Sequence, residues 1–521
     1  MDNKKIIFND EARLKLKEGI DIVANAVKVT LGYGGRTVVI RETGFPARAT
    51  KDGVTVANSI KLKDDLLDAG ANMMKEVSAK TADDVGDGTT TVCVLTQELL
   101  NEGLKYLQDG GNPVYLKKGM DMAKDMVLNS LKEMTIPITP ALIKNIAAVS
   151  ANNDKEIGDL IGDAYEKLGQ HGTITIEDSN GTDTRVELIE GFQFDCGMFS
   201  PHFITNTAKN TCEIENPYLL VVEGKIADIS QVWPIMQEVA KSGKGLVIIA
   251  EDFDFSVPTN LLNNRALFKS CIIKYNFSGD TKQEIMYDLC AVSGATIAEK
   301  KGAKIESLGI EYLGQCEKMI ISKDETILIK GKNSAKEMEA RIQDAKVKIE
   351  NAKHPFIKQK QEKRLAKLSG CMAVCYVGGA TEVEISEKKD RIDDSIRATK
   401  AAIEMGVVAG GGTALLRCGQ YLECDHQNID IQNGIFIVKT ACFSPAKQII
   451  KNAVDTVETY ILDVSRREGN EGYNVATGEI EDLIQSGIVD PVKVVSTCIE
   501  NAVSAAGQVL MSEALIVTDN S

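Results

Sequence analysis

The stretch "DDVGDGTTTVCVL", from Asp83 to Leu95, interrupts a helical pattern and decides how this 521-residue chain is interpreted. A helix that begins at its glycine and three threonines would present several backbone N–H groups, which attract anions. An aspartate, Asp87, stands directly before them, although it would repel a phosphate. Two explanations are open: Asp87 is the N-cap of the helix, or a cation such as Mg²⁺ lies between its carboxylate and phosphate oxygens.

Apolar residues recur at helical spacing on both sides of this stretch, which predicts two long helices. The repeating positions are Leu67, Ala71, Met74 and Val77 before it, and Val92, Leu95, Leu99, Leu104 and Leu107 after it. Upstream, "RTVVI" predicts a strand, and Asp52-Gly53 predicts a tight turn.

Composition and charge exclude several classes of function. With 43% hydrophobic and 26% charged residues, the chain is typical of a globular protein of three or four domains at about 150 residues each. Its net charge of -15 argues against nucleic acid or an anionic membrane as the main partner, since both require a basic surface. Apolar stretches such as "GVVAGGGTALL" (Gly406 to Leu416) are short of the roughly 20 residues that cross a bilayer, and "MDNKKIIFND" has no signal-peptide pattern. We expect a cytoplasmic protein with no nucleic-acid or membrane partner.

The cysteines and histidines indicate no nitrogen–sulfur metal site. The 12 cysteines are scattered without a CxxC pair, which favours reduced, buried thiols. The four histidines form no HExxH motif. No GxxxxGK[ST] or GxGxxG motif is present, so the chain has neither a P-loop nor a dinucleotide fingerprint. A metabolic phosphotransferase is disfavoured because no small-substrate pocket motif is recognisable.

The middle of the chain changes to short apolar runs separated by helical segments, which predicts parallel strands in a separate α/β domain. The runs are "YLLVVEG" (218–224), "GLVIIAED" (245–252) and "SCIIKYNF" (270–277). A lysine- and glutamate-rich stretch from Met338 to Leu368, broken at His354-Pro355, predicts an antiparallel helix pair. The chain is helical before and after this insert, which predicts a nested architecture in which the insert leaves and returns through two adjacent strands. Gly191 and Gly370 would be pivots there, or simple turn formers.

Several further fragments, in this order, resemble the GroEL-type, group I chaperonins over nearly the whole chain. They are "NAVKVTLG", "ATKDGV", "GDGTTTVCVL", "GVVAGGG", "GYNVATGE" and "DPVKV", together with the paired carboxylates of "RIDDSIRATKAA" (391–402). The resemblance favours the cation over the helix cap as the explanation of Asp87.

The resemblance implies a multidomain fold of three parts. A mainly α equatorial ATPase domain is formed by residues 1–133 and 406–521, and a small α+β intermediate domain by 134–190 and 372–405. An α/β apical domain is inserted at 191–371. It further implies a homo-oligomer of seven-membered rings, two of them stacked, and a co-chaperonin lid of the GroES type.

The resemblance also implies which residues bind ATP, Mg²⁺ and K⁺. The nucleotide-binding residues would be Thr30, Leu31, Gly32, Tyr33, Lys51, Asp87, Gly88, Thr89, Thr90, Thr91, Gly411, Asn474, Val475, Ala476 and Asp490. Among them Asp87 would hold Mg²⁺, and the backbone near Thr30 and Lys51, with Thr90, would hold K⁺. Asp394 would orient the attacking water, helped by Asp52; the alternative is that Asp394 is a solvated acid on a helix surface.

A helical segment, "ISQVWPIMQEVA" (229–240), carries apolar residues on more than one face. The resemblance implies that it binds unfolded or partly folded polypeptides, with the client-binding positions Met198, His202, Phe203, Trp233, Met236, Leu261 and Leu262. A core role for Trp233 and Met236 is the alternative. Several positions depart from the family pattern. His202, Pro258 and Asn263 make the strip more polar and start its second helix later. Tyr33 replaces a proline of the nucleotide loop, Cys371 replaces a hinge glycine, and Cys196 replaces an arginine that ties the apical to the intermediate domain.

Two hypotheses of function follow. The first is an ATP-driven folding chaperone that encloses clients in a ring cavity. The second is a divergent paralogue that keeps the ring and the ATPase but binds one specific partner, which the more polar strip favours.

Overall fold

The chain folds as two compact units, one inserted in the sequence of the other. The computed structural model describes residues 4–41, 47–151, 154–169, 172, 174–179, 181–207, 209–265, 267–275, 279–298, 305, 308–332, 335–352, 355–369, 371–423, 425–454 and 456–518. The first unit comprises residues 1–163 and 379–521, and the second comprises 164–378. The finer division into three domains stays a prediction.

The first unit is mainly helical. Its N-terminal part contains β1 (Lys4–Phe8), α1 (Asn9–Val27), β2 (Val38–Ile40), β3 (Arg48–Thr50), α2 (Gly53–Ser59), α3 (Asp65–Val85), α4 (Thr89–Gln108), α5 (Pro113–Glu133), α6 (Pro140–Ser150) and α7 (Lys155–Leu168), which runs past the unit boundary. Its C-terminal part contains α13 (Glu382–Met405), β16 (Val407–Ala409), α14 (Thr413–Tyr421), α15 (Ile429–Ala441), α16 (Ser444–Ala453), α17 (Val457–Ser465), β17 (Glu471–Asn474), β18 (Glu479–Asp482), β19 (Val489–Pro491), α18 (Val492–Met511) and β20 (Ala514–Thr518). The two predicted helices flanking the opening stretch are therefore confirmed as α3 and α4.

The core of the first unit combines both ends of the chain. Leu95 and Leu99 of α4 are fully buried in one cluster with Ile499 and Val503 of α18. By length and composition α18 could cross a membrane, but 67% of its apolar window is buried inside the protein, as in the core helix of a globular protein. The survey of apolar stretches in the sequence missed this helix.

Glycines allow α5 and α15 to cross with their backbones in contact. A Cβ atom at Gly119 would lie 2.1 Å from the carbonyl oxygen of Ile431, and one at Gly434 would lie 2.2 Å from that of Leu116. Any larger residue at either position would push the helices apart.

Short two-stranded sheets join distant segments of the first unit. β1 pairs antiparallel with β20, with Lys4 opposite Thr518, and β2 pairs with β3. β16 pairs with β19, so that Val408 lies opposite Asp490, and β17 pairs with β18. These pairings bring the glycine-rich segment before α14 beside the "DPVKV" segment.

The second unit is an α/β structure. Its elements are β4 (Ile174–Asp178), β5 (Arg185–Phe194), β6 (Cys212–Glu215), β7 (Tyr218–Val222), β8 (Lys225–Ile226), α8 (Trp233–Ser242), β9 (Leu246–Ala250), β10 (Asp252–Phe253), α9 (Ser256–Asn263), β11 (Ser270–Lys274), α10 (Gly279–Ser293), β12 (Ile297–Ala298), β13 (Gly314–Ile321), β14 (Thr326–Gly331), α11 (Ala335–Glu350), α12 (Pro355–Ser369) and β15 (Cys371–Val377). The main sheet has the strand order β11-β9-β7-β13-β14-β5-β15-β4.

The pairing in this sheet confirms two expectations. β7, β9 and β11 are parallel, as predicted from their apolar runs. β5 and β15 are antiparallel neighbours, with Cys371 opposite Glu190, as expected of adjacent strands at the predicted bounds of the insert, 191 and 371. Both strands lie within the second unit, whose own N-terminal boundary falls in α7. Gly191 lies inside β5, where β5 changes partner from β15 to β14; Gly370 lies outside the described residues, and the pivot role stays a prediction.

The predicted helix pair is confirmed as α11 and α12, which pack against α10 through a buried ion cluster. Asp288 of α10 is 1% exposed and accepts hydrogen bonds from Arg341 at 2.6 Å and from Arg364 at 2.7 and 2.9 Å. Such a buried carboxylate is tolerated only because two guanidinium groups pair with it.

Candidate functional site

The turn between α3 and α4 requires glycine on both sides of Asp87. Gly86 and Gly88 have φ angles of 72° and 79°, in the left-handed region that favours glycine. A Cβ at Gly88 would also lie 2.4 Å from the Sγ of Cys498. Gly88 itself is the N-cap of α4, and no side chain caps that helix. The first turn of α4 is therefore available to bind an anion through its N–H groups.

Asp87 is not the helix cap that one explanation assumed. Its Oδ1 accepts a hydrogen bond from the neighbouring Gly88 N–H, and its Oδ2 accepts one from Ser150 Oγ at 3.2 Å. A capping aspartate would instead bond to the N–H two or three residues ahead. Burial raises the pKa of Asp87, and the charge of Asp52 raises it further, against the lowering effect of these two hydrogen bonds.

Further aspartates face the same region. Burial raises the pKa of Asp394 to about 9, and the charges of Asp87, Asp52 and Asp393 contribute to the shift. Burial raises the pKa of Asp490 to about 7, with a contribution from Asp87. Each of these carboxylates makes ionisation of the others costly, so the cluster favours the binding of a cation.

The raised pKa of Asp394 predicts how stability depends on pH. Between the ordinary aspartate pKa near 3.9 and about 9, folded Asp394 keeps a proton that the unfolded chain releases, so stability falls as pH rises through this window. We expect the Asp394→Asn variant, measured without nucleotide and with a chelator, to unfold at higher denaturant concentration than wild type at pH 7.5. At pH 4 the two midpoints should converge. A constant difference at both pH values would contradict the raised pKa.

The loops before α2 meet the start of α4. Thr30 Oγ1 lies 3.5 Å from Thr90 Oγ1, and a Cβ at Gly53 would lie 2.4 Å from the same Thr90 atom. The predicted tight turn at Asp52 is wrong: Asp52 is the N-cap of α2 and accepts hydrogen bonds from the N–H groups of Val54 and Thr55, at 3.3 and 2.8 Å. Lys51 is exposed beside it.

The opposite end of the site is formed around β17. Asn474 ends this strand, and its Oδ1 accepts a hydrogen bond from Ala476 N–H at 2.9 Å. The buried Arg417 of α14 donates to the carbonyl oxygens of Val464, Gly469 and Glu471, which fixes the segment leading into β17. Because α14 follows the loop containing Gly411, one helix organises both the glycine loop and this strand.

A single cavity of about 900 Å³ is lined by every residue for which the sequence predicted a nucleotide, metal or catalytic role. These are Thr30, Leu31, Gly32, Tyr33, Lys51, Asp52, Asp87, Gly88, Thr89, Thr90, Thr91, Asp394, Gly411, Asn474, Val475, Ala476 and Asp490. The volume suits a nucleotide-sized ligand. Sequence reasoning missed Ser150, Lys144, Tyr473 and Arg397, which also line the cavity. Two of them had a local signal, since Tyr473 precedes Asn474 in "GYNVATGE" and Arg397 lies in "RIDDSIRATKAA".

The cavity suits a polyphosphate with a bound cation. Seven aspartates, three lysines and one arginine line it. Within the described parts of the chain, no group of three or more His, Cys, Asp or Glu side chains could hold a metal ion alone. A hard cation near Asp87 would therefore need oxygens from the ligand, as Mg²⁺ obtains from phosphates.

Most of the predicted client-binding residues are buried in the core of the second unit. The segment 229–240 forms a short 3-10 turn (Ile229–Gln231) and then α8, and the buried residues are Met198, Phe203, Met236 and Leu261. Trp233 is 42% exposed, His202 is exposed and Leu262 is half-buried. The core alternative is therefore right for Met236 but not for Trp233. A further exposed aromatic, Phe255 at 85%, was not identified from the sequence.

The positions that depart from the family pattern lie in different local environments. Pro258 lies in the first turn of α9, where proline is tolerated. Tyr33 is 63% exposed and lines the cavity, and Cys196 is buried. The side chain of Cys371 lies outside the described residues.

The fold is shared with solved chaperonin structures. The chaperonin gp146 from "bacteriophage EL 2 (Pseudomonas aeruginosa)", crystallised in the presence of ATP-BeFx, matches with a TM-score of 0.75 in crystal form II and 0.66 in crystal form I. In both cases the identity is 20% and the match covers 99% of each chain. The sequence model of the TCP-1/cpn60 chaperonin family matches residues 23–520. This chain belongs to the TCP-1/cpn60 chaperonin family.

Proposed function

We propose that this chaperonin is an ATP-dependent folding chaperone of the group I, GroEL-like type. It would capture non-native polypeptides, assemble as seven-membered rings, two of them stacked, and enclose clients under a GroES-type lid in the cytoplasm. The observation that carries the proposal is the convergence of all the predicted nucleotide and catalytic residues on one cavity. The presence of ATP-BeFx in the gp146 crystals is consistent with a nucleotide in the corresponding fold.

The phosphate end of the cavity would bind the triphosphate. The N–H groups and hydroxyls of Thr89, Thr90 and Thr91 would donate hydrogen bonds to phosphate oxygens at the uncapped start of α4. Bound Mg²⁺ would supply the positive charge that neutralises the triphosphate, and Asp87 would hold it. Backbone oxygens near Thr30 and Lys51, with the Thr90 hydroxyl, are the proposed K⁺ ligands.

Asp394 would orient the water that attacks the γ-phosphate. Its carboxylate must be ionised to accept a hydrogen bond from that water, and Asp52, which lines the same cavity, would assist it. Because Asp87 and Asp52 raise the pKa of Asp394, neutralisation of these two acids would return Asp394 towards its ionised form. This dependence would tie hydrolysis to a correctly filled cavity.

The base and ribose would lie at the other end of the cavity. Asn474, Val475 and Ala476 follow the strand that Arg417 holds in place, and they would contact the base. Gly411 would pack against the ribose, and Asp490 would accept hydrogen bonds from its hydroxyls. The raised pKa of Asp490 is compatible with this contact, because a protonated carboxyl can also donate.

A second candidate function is favoured by the burial pattern of the second unit. Four of the seven predicted client-binding side chains are in the core, which leaves Trp233, His202 and part of Leu262 at the surface. A protein with so small an apolar strip would suit one specific partner better than many unfolded chains. In this alternative the ring and the ATPase are kept.

A refolding assay separates the two functions. An aggregation-prone client is diluted from denaturant into the purified full-length protein with ATP, Mg²⁺ and a GroES-type lid. The folding chaperone is expected to raise the recovered client activity several-fold above spontaneous refolding and above a reaction without ATP. Steady ATP hydrolysis without recovery of several unrelated clients would contradict it and support the partner-specific protein. Absence of ATP hydrolysis would contradict both.

A further inference from the structure

One face of α13 turns four charged residues into the cavity. Asp390, Asp393, Asp394 and Arg397 are spaced at i, i+3, i+4 and i+7, so they lie on the same side of the helix. Arg397 is the one arginine among the residues that line the cavity. It was given no role by the sequence motifs.

The side chain of Arg397 packs on the turn that carries Asp87. A Cβ at Gly86 would lie 2.3 Å from both Cβ and Cδ of Arg397, so the aliphatic stem lies directly against the Gly86 backbone. The Nη1 atom donates to the carbonyl oxygen of Ala82 at 3.3 Å. That oxygen also accepts from Gly86 N–H at 2.8 Å, so the guanidinium reaches the C-terminal end of α3, where positive charge is favourable.

Arg397 also pairs with Asp393 within α13, with Nε 2.9 Å from Oδ2. Both side chains are nearly half exposed, at 47% and 45%, so this i, i+4 pair alone contributes little. The contacts that join different elements are those with Gly86 and Ala82. They join α13, which carries Asp394 one helical turn before Arg397, to the Gly86–Asp87 turn.

We propose that Arg397 is a positioning residue for ATP hydrolysis: it docks α13 on the Gly86–Asp87 turn and thereby sets the distance between Asp394 and the phosphates. This inference rests on the proposed ATPase function. Misplacement of a water-orienting group by about 1 Å costs on the order of 10²-fold in rate, so loss of the dock affects turnover rather than nucleotide binding.

The test compares three substitutions of Arg397 in the full-length protein. Arg397→Lys keeps a long stem and the charge, Arg397→Met keeps a long stem only, and Arg397→Ala removes both. We expect kcat to fall about 10- to 100-fold in the Ala variant, less in Met and within about threefold in Lys, with the dissociation constant for ATP unchanged within about twofold. Glu404→Gln is the matched control, because it removes an ion pair of α13 with Lys493, at 2.7 Å, away from the cavity.

Hydrogen exchange of the segment 79–95, without nucleotide, tests the dock independently of hydrolysis. Exchange at the Gly86–Thr91 turn is expected to be faster in Arg397→Ala than in wild type, Arg397→Lys or Glu404→Gln. Unchanged kcat in the Ala variant, or a loss that appears in ATP affinity instead of kcat, would overturn the inference while leaving the proposed ATPase intact. If wild type hydrolysed no ATP, the proposed function would fail, and unchanged exchange in the Ala variant would then refute the dock as well.

Discussion

Asp394→Ala is expected to lower the turnover of ATP by about 10²- to 10³-fold while leaving ATP binding close to wild type. The reason is the role of its carboxylate: it orients a water molecule in the transition state and contributes little to binding the ground state. Asp394→Ala also removes an acid from a cluster that contains Asp52 and Asp87, so a triphosphate should bind no more weakly than in wild type.

The measurement is single-turnover hydrolysis beside the dissociation constant of ATP determined by calorimetry on the same preparation. Glu387→Ala is a matched control, since Glu387 lies on the same helix, is exposed and does not line the cavity. It should hydrolyse ATP at the wild-type rate. Normal turnover in Asp394→Ala would remove this residue from the proposed catalytic role.

Asp87→Ala is expected to abolish Mg²⁺-dependent hydrolysis, with a loss of at least about 10²-fold. The structure removes the competing explanation, because α4 is capped by Gly88 and the Asp87 carboxylate bonds only to the adjacent N–H and to Ser150 among its described contacts. Loss of the carboxylate would therefore remove a metal ligand without removing a helix cap. The thermal midpoint should remain near that of wild type.

The Asp87 experiment has two useful comparisons. Ser150→Ala removes one hydrogen bond from the carboxylate and should reduce hydrolysis only moderately, because the charge remains. Asp84→Ala removes an exposed acid three residues earlier and should change nothing. A titration of Mg²⁺ against rate distinguishes weakened metal binding from loss of fold. A wild-type rate and Mg²⁺ dependence in Asp87→Ala would exclude it as the metal-holding residue.

Elements whose cause is local were predictable from the sequence. The 3.6-residue repeat around Asp87 gave α3 and α4, and three short apolar runs gave the parallel strands β7, β9 and β11. The family motifs then predicted a set of residues that the fold brings to one cavity.

Features that depend on contacts between distant segments were not predictable. The antiparallel strands β13 and β14 lie between β7 and β5 in the sheet, and no local signal indicates that order. Met236 and Leu261 are buried because their side chains face the core of the second unit, and the helical pattern alone does not show where that core lies. Ser150 and Arg397 reach the cavity from helices that are far apart in the chain. Asp52 caps a helix because the seven residues that follow it form α2.

The core of the first unit is built from both ends of the chain, which has a consequence for folding during synthesis. On a ribosome, residues 164–378 emerge as one continuous piece and can collapse around their own sheet before synthesis ends. The apolar surfaces of α4 and its neighbours must wait for α18, about 400 residues later, before they are covered. A nascent subunit therefore leaves this apolar surface exposed until the last helix has been synthesised.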